Sequence, residues 1–201
     1  LLKQLGATDP ETSCEKPLVA FVGRLVFQKG IDLLLNAIEI LLPKHNACFA
    51  IIGSGEHDLE QHLAYLTRQY PERVFAYIGY SESLAHQLEA GADIFAMPSR
   101  YEPCGLNQLY SLRYGTPPVV RNTGGLADTV TQTSAESIKN NTATGFLFEH
   151  PSAQSLADTI SHALSYYEDS NTWQKIIKNC MNQDFSWDNS AAAYLELFKR
   201  I

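Results

Sequence analysis

The stretch Gly91-Ala92-Asp93-Ile94-Phe95-Ala96-Met97-Pro98-Ser99-Arg100-Tyr101-Glu102-Pro103-Cys104-Gly105-Leu106 holds, in order, an apolar run, two prolines, a carboxylate and a glycine. Asp93 to Met97 reads as a short buried strand, because an uninterrupted apolar run suits a sheet covered on both faces. Asn107-Gln108-Leu109-Tyr110-Ser111-Leu112-Arg113-Tyr114 follows with apolar residues at helical spacing, which places a helix over Leu106 to Tyr114. The turn between them hands a strand over to a helix. In an open parallel sheet such turns lie at the carboxyl edge, where ligands bind. A glycine there lets backbone approach a ligand, and a new helix end offers free N–H groups to an anion.

Outward from this turn the same alternation repeats. Apolar runs from Pro17 to Val22, Cys48 to Gly53, Val74 to Gly79, Pro117 to Arg121 and Gly145 to Phe148 read as further strands. The prolines at 117 and 118 open their strand, where no ladder donor is missed. Helical spacing fills the intervals: Gly30 to Leu42, stopped by Pro43; a helix through Leu59, Leu63 and Leu66; Ser83 to Ala90; and Gly125 to Val130. Helices from Ser152 to Tyr167, Thr172 to Met181 and Ser186 to Phe198 close the chain. Leu1 to Gly6 looks like the end of a helix, which suggests a fragment of something longer. Strands alternating with helices define β-α-β units. The expectation is one α/β domain over residues 1–201, a Rossmann-like doubly wound parallel sheet with C-terminal helices.

Bulk properties narrow the function. The 201 residues are 45% hydrophobic and 18% charged, which describes a globular chain with a sizeable core and excludes wholesale disorder. A net charge of −7 argues against nucleic acid as the main partner, while leaving room for a few cations gathered at one anion site. No apolar run approaches the roughly 20 residues that span a bilayer, and no signal-peptide layout is present. Cys14, Cys48, Cys104 and Cys180 are scattered without a C-x-x-C pair, and the six histidines show no ligand spacing. Zinc and a disulfide framework are disfavoured, no cofactor is expected, and a reducing cytoplasm is the default.

Four further turns carry candidate chemistry. Gly23-Arg24-Leu25-Val26-Phe27-Gln28-Lys29-Gly30 sets a guanidinium and an ammonium at the mouth of a strand-to-helix turn. That pairing suits a diphosphate, against the plainer alternative of two solvated surface cations. Gly53-Ser54-Gly55 is either a tight turn or a ligand contact. Asp58 stands where a third glycine of a dinucleotide fingerprint belongs, so an NAD domain is disfavoured. Tyr80, at a strand end, either stacks on a base or is simply packed. Asn122-Thr123-Gly124-Gly125-Leu126 leads paired glycines into a helix, exposing backbone donors for an anion unless it is a plain turn.

Together, Gly23-Arg24-Leu25 with Gln28-Lys29-Gly30, Pro98 to Leu106, Tyr114-Gly115-Thr116-Pro117, Thr123 to Val130 and Asp184-Phe185-Ser186-Trp187 resemble the C-terminal half of bacterial glycogen synthases. That family, with the starch synthases, comprises retaining glucosyltransferases of two-lobed GT-B fold. The resemblance covers nearly the whole chain, and Glu102-Pro103-Cys104-Gly105-Leu106 is its most specific motif. Many related GT-B transferases carry a second glutamate eight residues after the first; Tyr110 stands there in this sequence.

The resemblance implies ADP-glucose and ADP as ligands, and an α-1,4-glucan acceptor met through an N-terminal lobe. It implies no nucleic acid, membrane or bound metal. Arg24 and Lys29 then hold the diphosphate and stabilise the leaving ADP, and Glu102 accepts hydrogen bonds from glucose hydroxyls. Backbone groups of Cys104, Gly105 and Leu106 meet sugar and phosphate beside Asn107. Tyr80 stacks on adenine, and Thr123 and Gly124 line the cleft. The last helix, within residues 184–201, crosses toward the other lobe, with Tyr194 or Phe198 at the interface. A GT-B transferase using UDP-glucose and a non-catalytic nucleotide-binding module are the alternatives.

Overall fold

A computed structural model describes residues 1–7 and 15–200; Cys14 and most of the polar lead from Thr8 lie outside them. Six parallel strands, β1 (Leu18–Val22), β2 (Cys48–Gly53), β3 (Val74–Ile78), β4 (Ile94–Met97), β5 (Pro118–Arg121) and β6 (Phe146–Phe148), form one sheet in the order β3-β2-β1-β4-β5-β6. The register pairs Ala20 with Ala50 on one side and with Phe95 on the other. Chain order thus runs outward from β1 to β3, then jumps back across the sheet to β4. The edge between β1 and β4 is the topological switch point, where doubly wound sheets bind ligands.

Alternation within each strand explains why the sheet needs helices on both faces. Val19, Phe21, Phe49, Ile51, Val74, Ile94 and Val119 point into one core, against α1 (Ile31–Leu41), α2 (His57–Gln69), α7 (Ala153–Tyr167) and α8 (Ser170–Met181). Leu18, Ala20, Cys48, Ala50, Ile52, Phe75, Phe95 and Val120 point into the other, against Leu88 of α3 (Glu82–Gly91) and Leu126 of α5 (Gly124–Thr129). Each fully buried Phe or Ile contributes about 1.5–3 kcal/mol, so neither face is stable uncovered.

The predicted strands are all present within a residue or so. Asp93 leaves β4 because its Oδ2 accepts the Leu18 N–H at 2.8 Å; burial raises its carboxyl, with that bond and one from Tyr167 opposing the rise. Helix α4 (Asn107–Tyr114) begins one residue later than predicted, with Leu106 as its cap. The helical end expected over Leu1 to Gly6 is the 3₁₀ turn Leu2–Leu5, capped by Gly6. Two local elements lacked a readable period: the 3₁₀ turn Phe27–Lys29 and α6 (Ala135–Lys139). Five residues are too few to show periodicity, and α6 is fixed by a capping box between Ser134 and Ser137. The final helix α9 (Trp187–Phe198) is present and has no buried residue; Trp187 is 83% exposed and Phe198 67%.

Candidate functional site

Loop-on-loop packing at the switch point builds the site. Gly30 caps α1 with φ 68°, and a Cβ there would lie 2.0 Å from the Pro98 carbonyl oxygen. The turn after β1 is therefore pressed directly onto the exit of β4. Arg100 locks the two together. Its guanidinium lies 3.5 Å from the centroid of the Phe27 ring and donates to Asp32 through Nη1 and Nη2 at 2.7 and 2.8 Å. Its backbone N–H donates to the Gln28 carbonyl at 2.9 Å. Arg121 braces the same loop from β5, donating through Nε to the Ser99 carbonyl at 2.9 Å and through Nη2 to the Arg100 carbonyl.

This bracing sets Lys29 against Glu102. The ammonium donates to Oε2 at 2.5 Å, and the Ser99 hydroxyl donates to the same oxygen at 3.1 Å. Glu102 is 7% exposed, so its charge depends on those two donors. The sequence set the cations and the carboxylate on separate turns; the fold joins one cation to the carboxylate and leaves Arg24 exposed.

Thr123 and Gly124 come to the same cluster from the other side. A Cβ on Gly124, at φ 46°, would meet the Glu102 carbonyl oxygen at 2.2 Å, and one on Gly125 the Cys104 carbonyl oxygen at 2.1 Å. The Gly125 N–H donates to the Glu102 carbonyl at 3.0 Å. Both glycines are small because the glutamate loop lies on them, and the Gly125 N–H is spent on that loop. By contrast, the N–H groups of Gly105, Leu106 and Asn107 donate to no acceptor among the described residues. These are the open donors of a helix start.

Beside this cluster lies a cleft of about 350 Å³ over the carboxyl ends of β1, β2 and β3. Gly23 and Arg24 stand at one end, Gly79, Tyr80 and Ser81 at the other, with Gly53 and Ser54 between them. Tyr80 is 86% exposed, a free aromatic face rather than a packed one. Asn107 closes the α4 side, where its Nδ2 donates to the Val22 carbonyl at 3.0 Å. Of the predicted residues, Arg24, Tyr80 and Asn107 share this cleft, while Lys29, Glu102, Thr123 and Gly124 form the adjoining cluster. Cys104 and Leu106 are exposed on the loop that links the two, with Gly105 at φ 77°. Glycines 53 and 55 both sit within 2.2 Å of a backbone oxygen at the Cβ position, so close packing and cleft lining coexist there.

Four cleft residues on α3 escaped the sequence reading, Glu82, Ala85, His86 and Glu89, and two of them face each other. Glu89 is buried, and burial pushes its carboxyl from 4.5 up to about 7. His86 faces it with Nδ1 at 3.6 Å, while Tyr110 and Tyr114 of α4 present their edges to the His86 ring. Because the folded value is raised, the folded state carries no penalty below about pH 4.5 and the full penalty above about pH 7. Stability therefore falls across that window. We expect Glu89→Gln to match the wild type near pH 4.5 and exceed it by about 1–2 kcal/mol at pH 8, after discounting for water at the cleft. Thermal melts of both proteins across pH check this; parallel curves would contradict it. Elsewhere, burial pushes the Cys180 thiol up to about 12, which leaves it an inert core group donating to the Thr144 carbonyl.

The cleft thus has a cation at one end, an aromatic at the other and a buried carboxylate nearby. The chain belongs to the group 1 glycosyl transferases, whose family pattern matches residues 9–180. The sheet and its flanking helices match a lobe of the GT-B fold.

Within that family the chain is similar to glycogen synthases. It is 56% identical over 185 residues to that of Hydrogenovibrio crunogenus, covering 92% of this chain and 38% of the relative. It is also 56% identical over 183 residues to that of Thioalkalivibrio sulfidiphilus, covering 91% and 38%. The catalytic domain of starch synthase IV from Arabidopsis thaliana, bound to ADP and acarbose, superposes with a TM-score of 0.85 at 34% identity, covering 98% of this chain and 40% of that one. The chain thus spans about two fifths of the length of these relatives. Among the described residues no helix is long and apolar enough to cross a membrane.

Proposed function

We propose that this chain is the donor-binding, C-terminal lobe of a cytoplasmic retaining glucosyltransferase that moves glucose from ADP-glucose to the non-reducing end of an α-1,4-glucan. The observation that carries this is the cleft running from Arg24 to Tyr80 and bounded by Asn107, with the open N–H groups of Gly105 and Leu106 on the loop just before it. Its ends suit a diphosphate and a base, at the place where a doubly wound sheet binds nucleotides. The Arabidopsis neighbour's complex with ADP supports the same reading.

In this account Arg24 and Lys29 hold the diphosphate and offset the negative charge that grows on departing ADP, the stabilisation that lowers a barrier. Glu102, already fixed by Lys29 and Ser99, orients the glucose through its hydroxyls. Cys104 acts through its backbone; its thiol has no activating base in hydrogen-bond reach among the described residues. The acceptor hydroxyl attacks the face that ADP vacates, which preserves the α configuration, and the ADP phosphate takes the proton. The acceptor side belongs to an N-terminal lobe, and the exposed aromatics of α9, with Tyr194 and Phe198 stacked at 6.5 Å, fit docking against it.

A UDP-glucose transferase is the second reading, since the same cation-aromatic cleft accepts any nucleoside diphosphate. Calorimetric titration of the protein with ADP and UDP separates them. ADP should bind more tightly, and Tyr80→Ala should weaken it by about tenfold, the scale of one lost base stack. Tighter UDP binding would overturn the donor assignment.

A further inference from the structure

We infer that Glu89 reads the nucleobase of the donor, its carboxyl group accepting a hydrogen bond from an exocyclic amino group and so separating adenine from uracil. This rests on the nucleotide reading of the cleft and names the group that gives that cleft its base preference.

Glu89 lies on the cleft-facing side of α3, in line with Glu82, Ala85 and His86, and all four line the cavity. The helix begins beside Tyr80, with Ser81 as its cap accepting the Leu84 N–H at 3.3 Å. Side chains on a helix lean toward its N-terminus, so the Glu89 carboxyl tilts toward the Tyr80 end.

The residue is 2% exposed, yet its Oε2 has no hydrogen-bond partner. The neighbouring groups that face it do not serve as partners. His86 Nδ1 stands 3.6 Å away and is engaged with the Tyr114 hydroxyl at 3.2 Å. Asn107 spends its amide on Val22, and Tyr110 meets His86 ring to ring. What α3 gains from position 89 comes from the backbone, whose carbonyl accepts the Thr116 hydroxyl at 2.6 Å. The side chain therefore holds a desolvated acceptor with no hydrogen bond, and His86 Nδ1, the basic group facing it, stands at 3.6 Å. Such a group is unusual in a core and ordinary in a binding site, where a ligand completes it.

The chemistry selects the ligand group. Ionised or protonated, a carboxyl offers an acceptor oxygen, so an amino N–H is satisfied in either state. Uracil presents a carbonyl oxygen where adenine presents its amine, and the ionised carboxylate, an acceptor only, leaves that carbonyl unpaired. The preference for adenine therefore belongs to the ionised form, since the protonated carboxyl would donate to uracil. Sites built around a buried hydrogen-bonding group discriminate strongly against ligands that lack the complement.

The test compares binding of ADP, purine riboside 5′-diphosphate (which lacks only the 6-amino group), UDP and 2′-deoxy-ADP to the wild type, Glu89→Gln and Glu89→Leu. The wild type should prefer ADP to the purine riboside diphosphate by about tenfold or more. Glu89→Leu should bring that ratio near one, and Glu89→Gln, whose amide oxygen still accepts, should keep part of it. An unchanged ratio in Glu89→Leu, or a wild-type ratio near one with both ligands bound, overturns the inference and leaves the nucleotide reading intact. A change confined to 2′-deoxy-ADP assigns Glu89 to the ribose and overturns it too. Failure of the wild type to bind any of the four removes the nucleotide reading and this inference with it.

Discussion

Lys29→Ala is expected to lower kcat of the proposed two-lobed transferase by about 10²–10³, the scale of losing one charge-stabilising donor in a transition state. Its effect should exceed that of Arg24→Ala, and the structure gives the reason. Arg24 is exposed at the cleft, so its removal costs only what it does for the ligand. Lys29 serves two masters. Its ammonium holds Glu102 at 2.5 Å, and without it a carboxylate only 7% exposed retains just the Ser99 hydroxyl. Breaking a buried pair on one side leaves an uncompensated charge. Lys29→Ala should therefore lower the melting temperature as well as kcat, whereas Arg24→Ala should spare stability. Adding Glu102→Gln to Lys29→Ala should restore part of the stability and none of the turnover. Steady-state kinetics and melts on the four proteins check this. A change in KM alone would mean that Lys29 binds ground and transition states equally.

The second large effect is structural. Gly30→Ala is expected to destabilise the protein by about 3–5 kcal/mol, at the extreme of single substitutions. Two costs add. The backbone at φ 68° is left-handed, and an added Cβ would sit 2.0 Å from the Pro98 carbonyl oxygen, a contact no side-chain rotation relieves. Relief requires the turn after β1 to lift from the exit of β4, which carries Lys29 away from Glu102 and loosens Arg100 from Phe27 and Asp32. For a chain of this size each kcal/mol shifts the midpoint by about 2–4 °C, so a fall of about 6–20 °C should appear in a thermal melt. A melt within 2 °C of the wild type, on the same scale, would mean that the two turns are not packed as described.

The architecture was legible because parallel strands buried on both faces, such as Cys48 to Gly53, need apolar residues without a break. The glycines punctuating their ends then marked the carboxyl edge. Arg24, Lys29 and Tyr80 followed from their place on those turns, whereas the roles of Glu102, Cys104, Leu106 and Asn107 came from the family resemblance. What one sequence conceals is which turns touch. Lys29 and Glu102 are separated by 73 positions, and only the sheet order brings them together. Nothing local to Gly124 and Gly125 showed the Glu102 loop lying across them. Glu89 was hidden for a different reason. A glutamate on an amphipathic helix normally marks the solvated face, and its burial at the groove between α3 and α4 comes from packing rather than local pattern. Arg100 was equally silent, since a charge inside a proline-flanked loop reads as exposed until its partners Asp32 and Phe27 are known.

The central claim is that one cleft takes a nucleoside diphosphate with its phosphates at Arg24 and its base at Tyr80. The most direct measurement is a crystal structure of the protein with ADP. The account predicts phosphate oxygens within hydrogen-bond reach of the Arg24 guanidinium and of the open N–H groups of Gly105 and Leu106, with adenine stacked on Tyr80. Nucleotide density at any other surface, or ADP with its base turned away from Tyr80, would contradict it.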